Sequence, residues 1–401
     1  MSYAAAYQAD RWRHSLRLGD VLVSNHPVAS GCHLPNMTVI SPVIDEDTQQ
    51  VLFWTASRAH HADISAASMS PHSEEIWQEG ASFLSFTLVD GGRSNEEDLA
   101  GIMFKKPASY PRLVQDSIKE YGLLTVQVSA KYMLGIQDNA EKAAEDQMND
   151  GSKLKFKICV DRNKDSAVFD LTGTSRETYG NLNAPRAITF STIIYVSRSL
   201  VKEDTPLNQG CLAPINVIIL PKLWASPSLG AATIGGNVEM SQGVTDVLLR
   251  AFQAAAASQG KCSNLTFEYE DEMVDGQAKP GFGYYETIAG GVEPPIWSLL
   301  RHRFLCILRE FGIWRGLGGR GNYAGGDGCV RDMEFRRDLH VNMPSERRTM
   351  SAYGLAGGEP GALRENIWVR HDEYGTREIK LGGKNRSEMK KGTRIIINEF
   401  R

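Results

Sequence analysis

"SNHPVASGCHLPNMTV", residues 24–39, sets two histidines, two prolines and a Ser-Gly pair directly in front of a strand-like run. Met37–Ile44 reads as a strand, residues 45–50 as a polar turn, and Val51–Ser57 as a returning strand rich in β-branched and aromatic residues. The stretch therefore opens an antiparallel hairpin, and the residues before its first strand fold back beside those after its second. His33 is then expected near His60 and His61, with Asn36 and Asp63 as nearby oxygen donors and Pro27, Ser30 and Gly31 shaping the loop. Two readings fit this cluster. Neutral imidazoles converging with oxygen donors suit a divalent cation. One packed ring beside one solvated ring would equally well just close a strand.

Outward from the hairpin, residues 1–18 carry apolar positions at helical spacing (Tyr7, Trp12, Leu16) until Gly19-Asp20 breaks the pattern before Val21-Leu22-Val23, a further strand. Residues 103–150 read as helical, including the charged, Ala-containing run from Asn139 to Met148. Leu154–Val160 and Ala167–Leu171 read as strands. Residues 237–258 read as the clearest helix, with Val244, Val247, Leu248, Ala251 and Ala255 on one stripe, Ser241 as N-cap and Gly260 as stop. From Gly281 onward, repeated Gly pairs predict tight turns between short strands. The fold class expected is mixed α+β and strand-rich, with several helices, as one domain over 1–401 with sub-lobes 1–150 and 151–401.

Composition narrows the function. The net charge of −4 is small for 401 residues, and Lys and Arg are scattered, which disfavours nucleic acid and anionic membranes and favours a small-molecule partner. The six cysteines are far apart with no CxxC pair, which speaks against a zinc ribbon or a disulfide scaffold and fits a reducing, cytosolic setting. No signal-peptide core and no apolar run of membrane-spanning length is present.

Three further stretches are candidates. "GLGGRG" (316–321) lacks a following helix start and reads as turns rather than a phosphate cradle. "GGNVEMSQ" (235–242) opens a helix with a Gly-Gly-Asn turn: either its amides and Asn237 meet a substrate carboxylate or phosphate, or it is an ordinary capped start. Arg186 either pairs with a substrate carboxylate or with an internal acid. Cys32, beside His33, reads as an inert thiol.

Taken in order, "GDVLVSNHPVASGCHLPNMTVISPV", "FWTASRAHHADI", "MSPHSEEIWQEGA", "DLTGTS", "GNLNAPRA", "PLNQGCLAPI", "GGNVEMSQGVTDVLLRAF", "YYETIAGG" and "ILREFGIWRGLGGRGNYAGGDGCVRDMEF" resemble the hydantoinase B family over nearly the whole chain, specifically the C-terminal half of oxoprolinases. The resemblance implies ATP-dependent opening of a cyclic amide such as 5-oxoproline, giving glutamate, with a hydantoinase A-type subunit or domain binding the ATP. It further implies a divalent metal (Zn, Mn or Mg) held by His33, Asn36 and His60, of which His33 and Asn36 fall on the family's HLPD motif and His60 on its RAHHAD motif. A homo-oligomer is expected. Asn36 departs from the family's aspartate, a further aspartate ligand would lie upstream of Met1, and stretches are missing between Pro111 and Gln115 and after Gly291. The chain is thus expected to be a truncated piece, with a partner-binding fragment or an N-methylhydantoinase-type activity as alternatives.

Overall fold

The computed structural model describes residues 1–12, 15–60, 73–95, 97–99, 102, 141–161, 163–164, 166–200, 209–260, 264–269, 273–274, 277–278, 282–287 and 306–399. The chain forms two compact units, one of Met1–Ala67, Ser73–Ala143 and Phe156–Asn237, the other of Ser68–His72, Ala144–Lys155 and Val238–Arg401.

The first unit is built on the expected hairpin. After helix α1 (Ser2–Trp12) come β1 (Val21–Ser24), β2 (Asn36–Ile44), β3 (Val51–His60), β4 (Phe86–Asp90) and β5 (Arg93–Ser94), forming one sheet in the order β3-β2-β1-β4-β5. The β2–β3 pairing is antiparallel from Asn36 opposite His60 to Ile44 opposite Val51. Its turn is held by Asp45, whose Oδ1 accepts from the N–H and the hydroxyl of Thr48, both at 2.7 Å. Alternation along β1 splits the core as a strand must. Leu22 faces one way, with Ala4 and Ile40 and the flanking Trp12 and Trp54, whereas Val23 faces the other, with Met37, Phe83 and Leu88. Helix α1 covers the Leu22 face, and its buried Gln8 accepts from Ser85 Oγ (2.6 Å) and donates to Leu84 O (2.9 Å), so this polar side chain is satisfied inside the core.

A four-stranded sheet follows in sequence order: β6 (Lys142–Gln147), β7 (Lys153–Asp161), β8 (Ser166–Asp170) and β9 (Ile215–Ile218), β8 and β9 being parallel. Between β8 and β9 lies α2 (Arg186–Ser199). Lys142–Gln147 corrects the helical expectation for Asn139–Met148. Helix formers there are overridden by strand pairing, and the cross-strand ion pairs Glu145–Lys155 (2.8 Å) and Glu141–Lys157 (2.9 Å) give the charged residues partners that a helix would not. The part of the expected helix at 103–140 lies outside the described residues.

In the second unit, the predicted helix is present with different ends. Helical backbone begins at Ile234, passes through a π-helical turn at Gly236–Met240 and continues as α3 (Ser241–Ala251), so Ser241 lies inside rather than capping. It ends at Phe252, before the expected Gly260. Gln253 adopts a left-handed φ of 54°, with Ala254 N–H donating to Leu249 O and Gln253 N–H to Arg250 O, both at 2.9 Å, the paired bonds of a Schellman stop. Ala255 therefore leaves the predicted stripe.

The remaining strands are β10 (Asn264–Tyr269), β11 (Met273–Val274), β12 (Gln277–Ala278), β13 (Phe282–Thr287), β14 (Cys306–Trp314), β15 (Gly328–Phe335), β16 (Leu339–Pro344), β17 (Glu365–Asp372), β18 (Gly375–Lys380), β19 (Lys384–Met389) and β20 (Arg394–Glu399). They form the sheets β13-β10-β16-β19 and β14-β15-β20-β17-β18 and the small pair β11-β12. Leu265, Phe267, Val341 and Met389 of the first sheet share one core with Cys306, Met333, Phe335 and Ile395 of the second, Phe267 meeting Phe335 edge-on at 5.7 Å. The β-rich C-terminal third is as the Gly pairs predict. "GLGGRG" is turn structure followed by no helix. A Cβ on Gly318 would sit 2.1 Å from Gly325 O, and one on Gly319 2.2 Å from Glu359 O, so these loops pack backbone against backbone.

Candidate functional site

The two histidines of the opening stretch have different fates. His26 caps a short 3-10 turn, Pro27–Ala29: its Nδ1 accepts from Val28 N–H at 3.1 Å, and its ring is also bonded to the Leu229 backbone. Burial pushes its pKa down to about 4, so the ring is neutral and serves structure. Ser30 in the left-handed region (φ 67°) and Gly31, where a Cβ would lie 1.9 Å from Asn25 O, then reverse the chain. That close approach is why the loop needs a glycine. Asn25 ties this loop down, donating to Leu34 O and Ala81 O (both 2.8 Å) and accepting from Phe83 N–H (2.6 Å).

His33 is presented by the turn that follows. Asn36 N–H donates to His33 O at 3.0 Å, and this turn folds the two side chains together, Asn36 Nδ2 lying 3.3 Å from His33 Nδ1. Asn237 arrives from the π-helical turn, its Nδ2 also 3.3 Å from His33 Nδ1, although 204 residues separate them in sequence. His33 is buried, and the two side chains at these distances from its ring are carboxamides. His60 lies opposite Asn36 in the hairpin, their Cα atoms paired where β2 begins. His61 and Asp63 lie outside the described residues. Among the described residues no three His, Cys, Asp or Glu side chains gather as a metal site.

The donor chemistry nonetheless suits a cation. An imidazole nitrogen has one in-plane lone pair, which cannot accept two N–H groups well. Rotating each carboxamide about its Cβ–Cγ bond exchanges nitrogen for oxygen and turns the same three side chains into one nitrogen and two oxygen donors, a mixed set that takes Zn²⁺ or Mn²⁺.

The other candidates separate from this cluster. Arg186 is exposed at the start of α2, its guanidinium 5.7 Å from the Phe190 ring centroid, and Phe190 stacks on Tyr3 at 4.9 Å. The Gly-Gly-Asn amides are engaged rather than displayed: Ile234 N–H donates to Glu79 Oε1 (2.7 Å), and the Gly235 and Gly236 N–H groups donate to Asn181 O (2.9 and 3.2 Å). The reading of that turn as an open anion cradle is thereby corrected. Cys32 accepts from Arg58 Nη1 at 3.1 Å, with Arg58 also bonded to Thr38 Oγ1 and Ser30 O, so this arginine braces the His33 loop against β2.

Sequence reasoning missed Glu79 and the buried asparagines. Glu79 is 2% exposed, and burial raises its carboxyl to a pKa of about 8. Asn183 donates to Thr178 O, Gly180 O and Ala232 O, and a Cβ on Gly236 would meet Asn183 O at 2.1 Å. The signal was present in "EEIWQEGA" and "GNLNAPRA", which place an acid and two asparagines in otherwise apolar or turn surroundings.

This architecture has known counterparts. The Hydantoinase B/oxoprolinase family model matches residues 1–292 and 299–399. The chain belongs to that family. Relatives include 5-oxoprolinase 1 of Arabidopsis thaliana, 39% identical over 99% of this chain and 36% of its own length, and the 5-oxoprolinase of Saccharomyces cerevisiae, 38% identical over 99% of this chain and 36% of its own. This member of the hydantoinase B/oxoprolinase family thus spans about a third of the length of the curated relatives it matches. The yeast alignment runs over 472 positions against 401 residues here, so that relative carries stretches this chain lacks. Both places where the sequence reading puts missing stretches fall outside the described residues. Among solved structures, an ATP-dependent caprolactamase from Pseudomonas jessenii superposes with a TM-score of 0.76 over 99% of this chain and 79% of its own at 16% identity, which shows a shared fold. No helix among the described residues is long and apolar enough to cross a membrane.

Proposed function

We propose that this chain is the ring-opening part of an ATP-dependent cyclic-amide hydrolase of the 5-oxoprolinase type, converting 5-oxo-L-proline, ATP and water to L-glutamate, ADP and phosphate. The observation that carries the reading is the convergence of Asn36 and Asn237 on His33 in a chain 38–39% identical to 5-oxoprolinases. A hydantoinase A-type subunit or domain supplies ATP binding, because an unstrained lactam is a poor electrophile until its oxygen becomes a leaving group.

His33, Asn36, His60 and Asn237 would hold a divalent cation, which when bound supplies Lewis acidity. The chain's own part is to fix these donors. Asn25 and Arg58 hold the His33 loop, the turn from His33 to Asn36 sets two donors side by side, and the hairpin register sets the His60 backbone opposite Asn36. The buried position of His33 limits its contact with bulk water, so a lactam admitted there meets donors that are already oriented. With Asn36 in place of a carboxylate, the donor set is neutral and should grip a cation more weakly than a charged one.

The test mixes the purified chain with a hydantoinase A-type ATP-binding half and follows glutamate and ADP together with metal content. Lactam-dependent ATP turnover, lost in His33→Ala along with bound Mn²⁺ or Zn²⁺, is the expected result. Absence of lactam-dependent turnover in the unsubstituted pair would overturn the activity, and unchanged metal content in His33→Ala would overturn the site.

A further inference from the structure

Asn237 lies far from His33 in sequence, and its side chain reaches the cluster only if the chain just before it is held in one position. Three successive donors make that hold: Ile234 N–H on Glu79 Oε1, then Gly235 and Gly236 N–H on Asn181 O. Glu79 also bonds the Thr233 backbone. The segment carrying Glu79 is itself stitched along the same stretch, with Ile76 N–H donating to Gly230 O (2.9 Å), Ala232 N–H to Glu74 O (3.4 Å), and Glu75 bridging Ala231. Gly235 and Gly236 have no room to shift, since a Cβ on either would strike Asn181 or Asn183. Immediately beyond these anchors the helix takes a π turn, Gly236–Met240, a rare local geometry that re-aims the side chain it carries. Of the anchors, the Asn181 contact is made by backbone and survives any change of side chain, whereas Glu79 holds the start of the helix with a side chain.

We infer that Glu79 is a positioning residue, which by fixing the Thr233 and Ile234 amides aims Asn237 at His33. The inference rests on the reading of the His33 cluster as the site, but it makes a claim about this chain's own geometry that can be tested without any metal.

The experiment uses the full chain with ¹⁵N-labelled asparagine, Asn237 being assigned by the side-chain amide signal that disappears in Asn237→Asp. Glu79→Ala removes the acceptor. Glu79→Leu does the same while keeping volume, so that a folded variant is obtained even if the alanine leaves a destabilising cavity. Glu79→Gln keeps an acceptor oxygen for Ile234 N–H. The Asn237 side-chain signal is expected to shift or broaden in Glu79→Ala and Glu79→Leu and to return to its parent position in Glu79→Gln, with far-ultraviolet circular dichroism unchanged throughout. Titration with Mn²⁺ should show affinity falling roughly 10- to 100-fold in the first two variants and recovering in the third, the size of effect outer-shell residues have on metal sites. An Asn237 signal that stays in place in both folded variants lacking the acceptor overturns the inference. A moved signal in a protein whose parent form binds no Mn²⁺ supports the positioning role and overturns the metal reading, so the two failures are distinct.

Discussion

Two buried polar clusters, one in each unit, use opposite chemistry. Around His33 the meeting groups are an imidazole and two carboxamides, each carboxamide nitrogen 3.3 Å from the ring nitrogen. In the second unit Arg348 and Arg364, 3% and 2% exposed, share the carboxylate of Glu399 (2.5 and 2.7 Å), and Arg347 bridges Asp146 (2.8 Å) and Asp246 (3.1 Å). Asn366 completes that cluster by accepting from Arg348 and donating to Ser345 Oγ and Gly382 O. Charges that find their partners inside the fold are committed to it, and burial lowers the Arg364 pKa to about 10 even with Glu399 beside it. Around His33 two carboxamides crowd one imidazole nitrogen. The difference ties the charged cluster to the architecture and sets it apart from the His33 cluster, where we propose the ligand chemistry.

The sharpest way to break this contrast is Glu399→Ala, which leaves two buried guanidiniums without their shared carboxylate. Denaturant unfolding should show a loss of roughly 3–5 kcal/mol. A loss under about 1 kcal/mol, the level of an exposed ion pair, would show that the cluster is not structural.

The next effect is acid sensitivity in the first unit. The folded pKa of His26, about 4, lies below its ordinary 6.5, so the unfolded chain takes up the proton first as pH falls. The stabilisation from the neutral ring is complete above pH 6.5 and disappears between 6.5 and 4, by about 3 kcal/mol. His26→Asn, which retains a cap acceptor but does not titrate, should flatten that limb in unfolding curves taken across the window. An unchanged slope would detach His26 from it.

The smallest effect sharpens the contrast from the other side. Asn36→Asp puts one negative charge into the neutral cluster, and calorimetric titration should show Mn²⁺ affinity rising about tenfold. Equal or weaker binding would mean that Asn36 does not face the cation.

The parts of the fold legible in sequence were those fixed by local chemistry. The hairpin followed from alternation between Met37 and Ser57, and the turn-rich C-terminal sheets followed from Gly pairs. Helical propensity in Lys142–Gln147 misled because pairing with the neighbouring strand, invisible locally, decided the outcome. The end of α3 was misplaced because Gln253, not a glycine, takes the left-handed position. At the site, the fold-back of the hairpin put His33 and Asn36 at its open end, and the resemblance to the family put them on its HLPD motif. Asn237 was singled out for a substrate, and its approach to His33 depends on 204 residues of intervening chain that no spacing rule describes. His26 stands in the same quoted stretch as His33 and both are buried; the bonds of the His26 ring to the backbone distinguish them.

The backbone-on-backbone packing of the 316–328 loop has a kinetic consequence. The Gly325 amide, donating to Gly319 O at 2.9 Å, and the Glu359 amide, donating to Arg320 O at 2.8 Å, sit among solvent-exposed residues. With no side chain between the strands of this crossing, its opening requires both loops to part together. Those two protons should therefore exchange with deuterium as slowly as amides inside a sheet, and a single methyl group added at Gly318 would release them.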